Sequence, residues 1–104
     1  MNERRESIRL TDWLAARTPR PPDELSSALI RAVGDTACTE SDIPPALIAN
    51  AKQLLSTVGT DRAAALDLLA ADALITYAME AAAESGSVEE VARDAMQQIA
   101  GVVA

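Results

Sequence analysis

The sequence predicts an all-α fold: a small helical bundle of four to five helices, with a long central helix at about 60–85 and a proline-hinged N-terminal arm. Three observations lead to it. Hydrophobic residues make up 49% of the 104, yet Trp13 and Tyr77 are the only aromatics and Phe is absent, so Ala, Leu, Ile and Val must fill the interior. Alanine has the highest helix propensity and lets helix axes approach, whereas strands favour the aromatic and β-branched residues that are scarce here. The four glycines, at 34, 59, 86 and 101, fall where helices should end. No stretch shows strand alternation, hairpin dipeptides or a repeat of solenoid length. A chain of this length removes roughly two thirds of its surface from water on folding, which is enough for one core.

The elements follow in order. Thr11 offers a cap for a short helix through Arg17, with Leu10, Trp13, Leu14 and Arg17 on one face. Thr18-Pro19-Arg20-Pro21-Pro22 cannot be helical through its centre and forms a stiff linker. Residues 1–20 are thus an arm carrying a short amphipathic helix, and 21–104 are the bundle domain. Pro22 suits the first turn of the second helix, with Asp23 and Glu24 at its positive end, Gly34 as terminator, and Leu25, Leu29, Ala32 and Val33 as its stripe. After a polar turn, Ser41 or Asp42 before Pro44-Pro45 marks the third helix, which runs to about Val58. Its stripe is Leu47, Ile48, Ala51, Leu54, Leu55 and Val58, and Gly59 stops it. Thr60 caps the central helix, which ends before Gly86. Ser87-Val88-Glu89-Glu90 is a capping box opening the fifth helix, whose apolar face is Val88, Val91, Ala92, Ala95, Met96, Ile99 and Val102.

Net charge is −7, which opposes non-specific binding to nucleic acid or anionic lipid. The charge is polarised. Residues 1–20 hold five arginines against Glu3, Glu6 and Asp12, a balance of +2, so the remainder carries −9. A single cysteine, Cys38, cannot form an internal disulfide and fits a reducing compartment, so a cytoplasmic location is expected. No apolar run of signal-peptide length follows Arg4-Arg5. The most apolar stretch, 63–79, contains Asp67 and Asp72, each costing roughly 2.5–3.5 kcal/mol at a bilayer centre. Neither a membrane nor a nucleic acid is expected as partner.

Histidine is absent, which removes the commonest general base near neutral pH and the commonest transition-metal ligand. No glycine-rich phosphate loop exists, and no cofactor or metal is expected. Asp67 and Asp72 are five residues apart on one helix, about 140° of rotation, and cannot share an ion unaided. Asp72, Thr76 and Glu80 share one strip that reads as the solvated edge of that helix. Cys38 lies in an expected loop near Asp35 and Glu40, whose charge raises a thiol's pKa and makes it a poor nucleophile.

The stretch Leu66 to Glu80 resembles one helix of the all-helical isoprenyl diphosphate synthases but contains no Asp-Asp-x-x-Asp motif, so neither activity nor residues carry over. In size, acidity and helical content the chain is similar to acyl carrier proteins. Their Asp-Ser-Leu signature is missing, the nearest sequence being Glu40-Ser41-Asp42-Ile43, where Ser41 reads as a helix cap.

Two surfaces remain as candidate interaction sites. The first is Leu10, Trp13 and Leu14 on the arm, able to anchor a partner; large aromatics are usually mostly buried, so folding back over the bundle is the preferred reading. The second lies on the central helix. At about 100° per residue, Leu66, Leu69, Ala70, Ala73, Leu74 and Tyr77 fall within one arc, while Leu68, Ile75 and Met79, with Ala64 and Ala82, cluster on another. A helix apolar on two sides must be covered twice, by its own bundle or by a second subunit. The sequence therefore reads as a non-enzymatic protein–protein interaction or assembly module that self-associates. The alternative is a helical carrier for an apolar small molecule, which would need an enclosed pocket.

Overall fold

A computed structural model of the chain describes residues 7–57, 59 and 63–103. Among them the order is β1 (Ile8–Arg9), α1 (Leu10–Ala15), α2 (Asp23–Val33), β2 (Ala37–Cys38), α3 (Ile43–Thr57), α4 (Ala63–Ser85) and α5 (Val88–Val103), with a 3-10 turn at Glu40–Asp42 leading into α3. The chain is a small all-α bundle with α4 at its centre. Residues 1–6 of the arm, Val58 and the expected cap Thr60 lie outside the described residues.

Local signals set most helix ends. Gly34 takes φ 52° after α2, where an L side chain would be strained, and its N–H donates to the Ile30 carbonyl at 3.0 Å. Gly86 takes φ 76° after α4. There the Ser87 N–H donates to Ala82 at 2.8 Å and the Gly86 N–H to Ala83 at 3.4 Å, the paired bonds that close a helix C-terminus around a left-handed residue. The capping box expected at Ser87 and Glu90 is not what opens α5. The Ser87 hydroxyl meets that of Ser85 at 2.9 Å, because the same residue closes the preceding helix.

Two further readings need correction. The first helix begins at Leu10, with Arg9 making no side-chain cap bond, rather than at a Thr11 cap. Antiparallel pairing of Ile8 with Cys38 and of Arg9 with Ala37 accounts for this, because it delivers the Leu10 N–H to the Thr36 carbonyl at 3.0 Å. Two-residue strands show no alternation, so nothing local announces them. Ser41 is likewise no simple cap for α3. Its hydroxyl lies 3.4 Å from that of Thr39, which itself donates to the Asp42 carboxylate at 3.0 Å within the 3-10 turn.

The core centres on α4, which packs most extensively on α3 and also against α2 and α5. Its buried residues are Ala64, Ala70, Ala71, Leu74, Ala78, Ala81 and Ala82. At about 100° per residue these span one arc of about 120°. The seam is almost all alanine, which lets a neighbouring helix come close. Opposite it lie Ile43, Leu47, Ile48 and Ala51 of α3, Ala28, Leu29 and Val33 of α2, and Val91 and Ala95 of α5, all in one buried cluster. The core-facing arc read from the large side chains is therefore rotated. Leu69, placed in it, is 56% exposed, while Ala64 and Ala82, placed on the second face, are buried. Met96, placed on the core face of α5, is 72% exposed.

Candidate functional site

The N-terminal segment builds the first surface. Leu10 and Leu14 are buried in the chain's own core, so neither is free to meet a partner. Trp13 is half-buried and stands edge-on to Tyr77 of α4, with ring centroids 6.2 Å apart and planes at 90°, a favoured aromatic geometry. Arg17, just beyond α1, lays its guanidinium 4.2 Å from the Trp13 ring centroid. Its Nη1 donates to Glu84 Oε2 of α4 at 3.0 Å, the one ion pair among the described residues. The Arg17 Nε is buried without a hydrogen-bond partner. Glu84, Arg17, Trp13 and Tyr77 thus form a stack that clasps the segment to the central helix. Residues 67 positions apart meet here, and no local pattern in the sequence could have paired them.

The second surface is the flank of α4. Leu68 is 50% exposed, whereas Ile75 and Met79, its companions at helical spacing, are half-buried and pack against the core cluster. The three lie within about 40° of one another, at one edge of the alanine seam. Asp72, Thr76 and Glu80 are exposed alongside, and the Thr76 hydroxyl donates back to the Asp72 carbonyl at 3.0 Å. That strip is the solvated edge of the helix. Leu69 and Met96, both read from sequence as core residues, add to the exposed apolar surface. Exposure at those two positions becomes visible only when alanine, not leucine, is allowed to define the core face.

The described residues also form clefts of differing chemistry. One beside Tyr77 has an apolar floor of Leu14, Leu29 and Ile30 with Arg20 at its rim, and holds about 50 Å³. A wider one beside Trp13 is lined by Glu40, Ser41, Ile43, Ala81 and Glu84. A third, between α3 and α5, is polar, with Lys52 donating to Gln98 at 3.0 Å across it.

Cys38 sits in β2, partly buried, and not in a loop. Burial raises its thiol pKa, and the charge of Asp42, not of Asp35 or Glu40, adds to the rise. Among the described residues no three His, Cys, Asp or Glu side chains stand close enough to hold a metal ion. Nor, among them, is any helix long and apolar enough to cross a membrane. No protein-family model matches this chain, and neither a curated protein nor a solved structure does.

Proposed function

We propose that this chain is a non-enzymatic interaction and assembly module, associating with a second copy of itself through the outer apolar flank of α4. The observation that carries this reading is the 50% exposure of Leu68, which with the half-buried Ile75 and Met79 forms one apolar edge of α4; Leu69, 56% exposed about 100° further round α4, and Met96, 72% exposed on α5, extend the uncovered apolar surface. Large apolar side chains left half in water favour being covered, and the exposed Asp72 borders the Leu68, Ile75 and Met79 edge on its outer side. A carrier for an apolar small molecule finds less support. Such sites usually enclose about 300–1,000 Å³ of mainly apolar space; the apolar cleft beside Tyr77 offers about 50 Å³, the wider one beside Trp13 sets Glu40 and Glu84 against Ile43 and Ala81, and the one between α3 and α5 carries Lys52, Asp94 and Gln98.

Light scattering of the whole chain at micromolar concentration tests the proposal, with Leu68→Lys and Met96→Lys as variants. A dimer or larger species that the substitutions convert to a monomer with unchanged circular dichroism supports it. A monomer throughout overturns it. Leu68 serves this purpose better than Ile75, because Ile75 packs against the chain's own core and a carboxylate there would destabilise the fold in either case.

A further inference from the structure

Everything that holds the N-terminal segment to the body lies on one side of an exposed linker. β1 pairs with β2, Leu10 and Leu14 enter the core, Trp13 stands against Tyr77, and Arg17 reaches Glu84. Beyond them Thr18, Pro19 and Arg20 are exposed and make no hydrogen bond within the described chain. Pro19, Pro21 and Pro22 have no N–H to donate.

We propose that this segment exchanges between two copies of the chain, α1 and β1 of each filling the groove of the other. The occupant is the one the groove is seen to hold, so a second copy brings the same Leu10, Leu14 and Trp13 and preserves every contact. Only the conformation of residues 18–21 has to change, at the cost of the bond that the Ser26 hydroxyl donates to the Pro21 carbonyl. Four residues reach about 13–14 Å when extended. Proline restricts the opened linker, so straightening it forfeits little conformational freedom, and exchange of an identical element is a low-cost route to a dimer. Charge acts in the same direction. The segment 1–20 carries +2 and the rest of the chain −9, and Arg17 finds its partner Glu84 on the acidic body, so a released segment is drawn to another body as it is to its own. The exchange uses a surface separate from the Leu68 flank and deepens the assembly reading by adding a second mode of pairing between copies.

The antiparallel register supplies the test. Ile8 faces Cys38, and residues opposed in such a pair have Cα atoms about 4.5–5.5 Å apart, within the span of a disulfide. Ile8→Cys is equilibrated at one and at several hundred micromolar, oxidised, and run on a denaturing gel without reductant, beside Ile8→Cys/Cys38→Ser. Exchange gives a covalent dimer that grows with concentration and is absent from the control. A cross-linked monomer at every concentration overturns it. Should the disulfide not form, mixing Arg17→Glu with Glu84→Arg decides, since only exchanged heterodimers restore both ion pairs. A mixed dimer enriched over either variant alone supports exchange, and two separate monomers refute it. A wild-type dimer by light scattering without a covalent Ile8→Cys dimer removes the exchange and leaves the flank-mediated assembly standing.

Discussion

Leu69 and Leu74 lie on the same helix, five residues apart, and carry the same side chain, so replacing each with alanine isolates the effect of where the core face lies. Leu74 is 0% exposed and sits in the alanine seam. Leu74→Ala loses the transfer energy of three buried carbons and leaves a cavity, at a cost of about 2–5 kcal/mol. Leu69 is 56% exposed. Its removal opens no cavity and forfeits under half of a side-chain burial worth about 1.5–3 kcal/mol, so about 1 kcal/mol or less is expected. The seam makes a third, opposite prediction. Ala78, 0% exposed, has no room for a larger side chain, and Ala78→Leu costs about 1–3 kcal/mol through displaced neighbours. Thermal unfolding followed by circular dichroism reads all three, at about 4–8 °C per kcal/mol for a domain near this size. Leu74→Ala should fall by at least about 10 °C and Leu69→Ala by only a few. Equal losses at Leu69 and Leu74, or no loss with Ala78→Leu, would refute the placement of the seam.

Arg17→Ala removes an ion pair with the mostly exposed Glu84 and a cation–π contact with Trp13. Together these are worth about 1–2 kcal/mol, and the Trp13 emission should shift to the red as the indole gains water; an unchanged spectrum and melting temperature would mean that the clasp contributes nothing. Gly86→Ala forces a β-carbon into φ 76° and should cost about 1 kcal/mol although the space around it is open. Gly101→Ala, equally unobstructed but within α5, should leave stability unchanged or raise it by up to about 1 kcal/mol, so equal losses at the two positions would contradict the conformational account. Because burial and then Asp42 raise the Cys38 pKa, its thiolate fraction lies below that of a free thiol at any pH under that value. Maleimide labelling at pH 8 should therefore be slower than in the urea-unfolded chain, and faster in Asp42→Asn than in the wild type; equal rates in all three would remove the proposed cause.

Helix positions were legible because their signals are local. Gly34, Gly86 and the prolines at 22, 44 and 45 act on the backbone within a turn of where they stand, and both ends of α2, the start of α3, the end of α4 and the start of α5 fall close to where those residues require, whereas Gly101, read as a terminator, stands inside α5. The facing of α4 was not legible, for a physical reason. Apolar residues surround nearly the whole helix, so periodicity has little contrast. Weighing by size then favours the leucines, whereas close packing selects the side chains that let two helix axes approach. Leu66 and Tyr77 on one side and Leu68, Ile75 and Met79 on the other are both flanks, with the buried alanines between them.

The candidate surfaces inherit that asymmetry. Leu10 and Leu14 had the right chemistry for docking and do dock, but into their own chain, because β1 finds β2 across 30 positions of sequence and Arg17 finds Glu84 across 67. The return of the Leu10, Trp13 and Leu14 face to its own bundle was legible in the sequence, but no window of local pattern spans such distances, so the partners that hold it there were not. Exposure at Leu69 and Met96 is the converse. Each belongs to an apolar helix stripe and is left over once the alanine seam of α4, and Val91 with Ala95 on α5, have filled the core. An apolar side chain in a stripe identifies a helix face; whether that face is inside depends on which neighbour can come nearest. In an alanine-rich bundle the smallest residues decide, and the large ones left outside are the first place to look for a second copy.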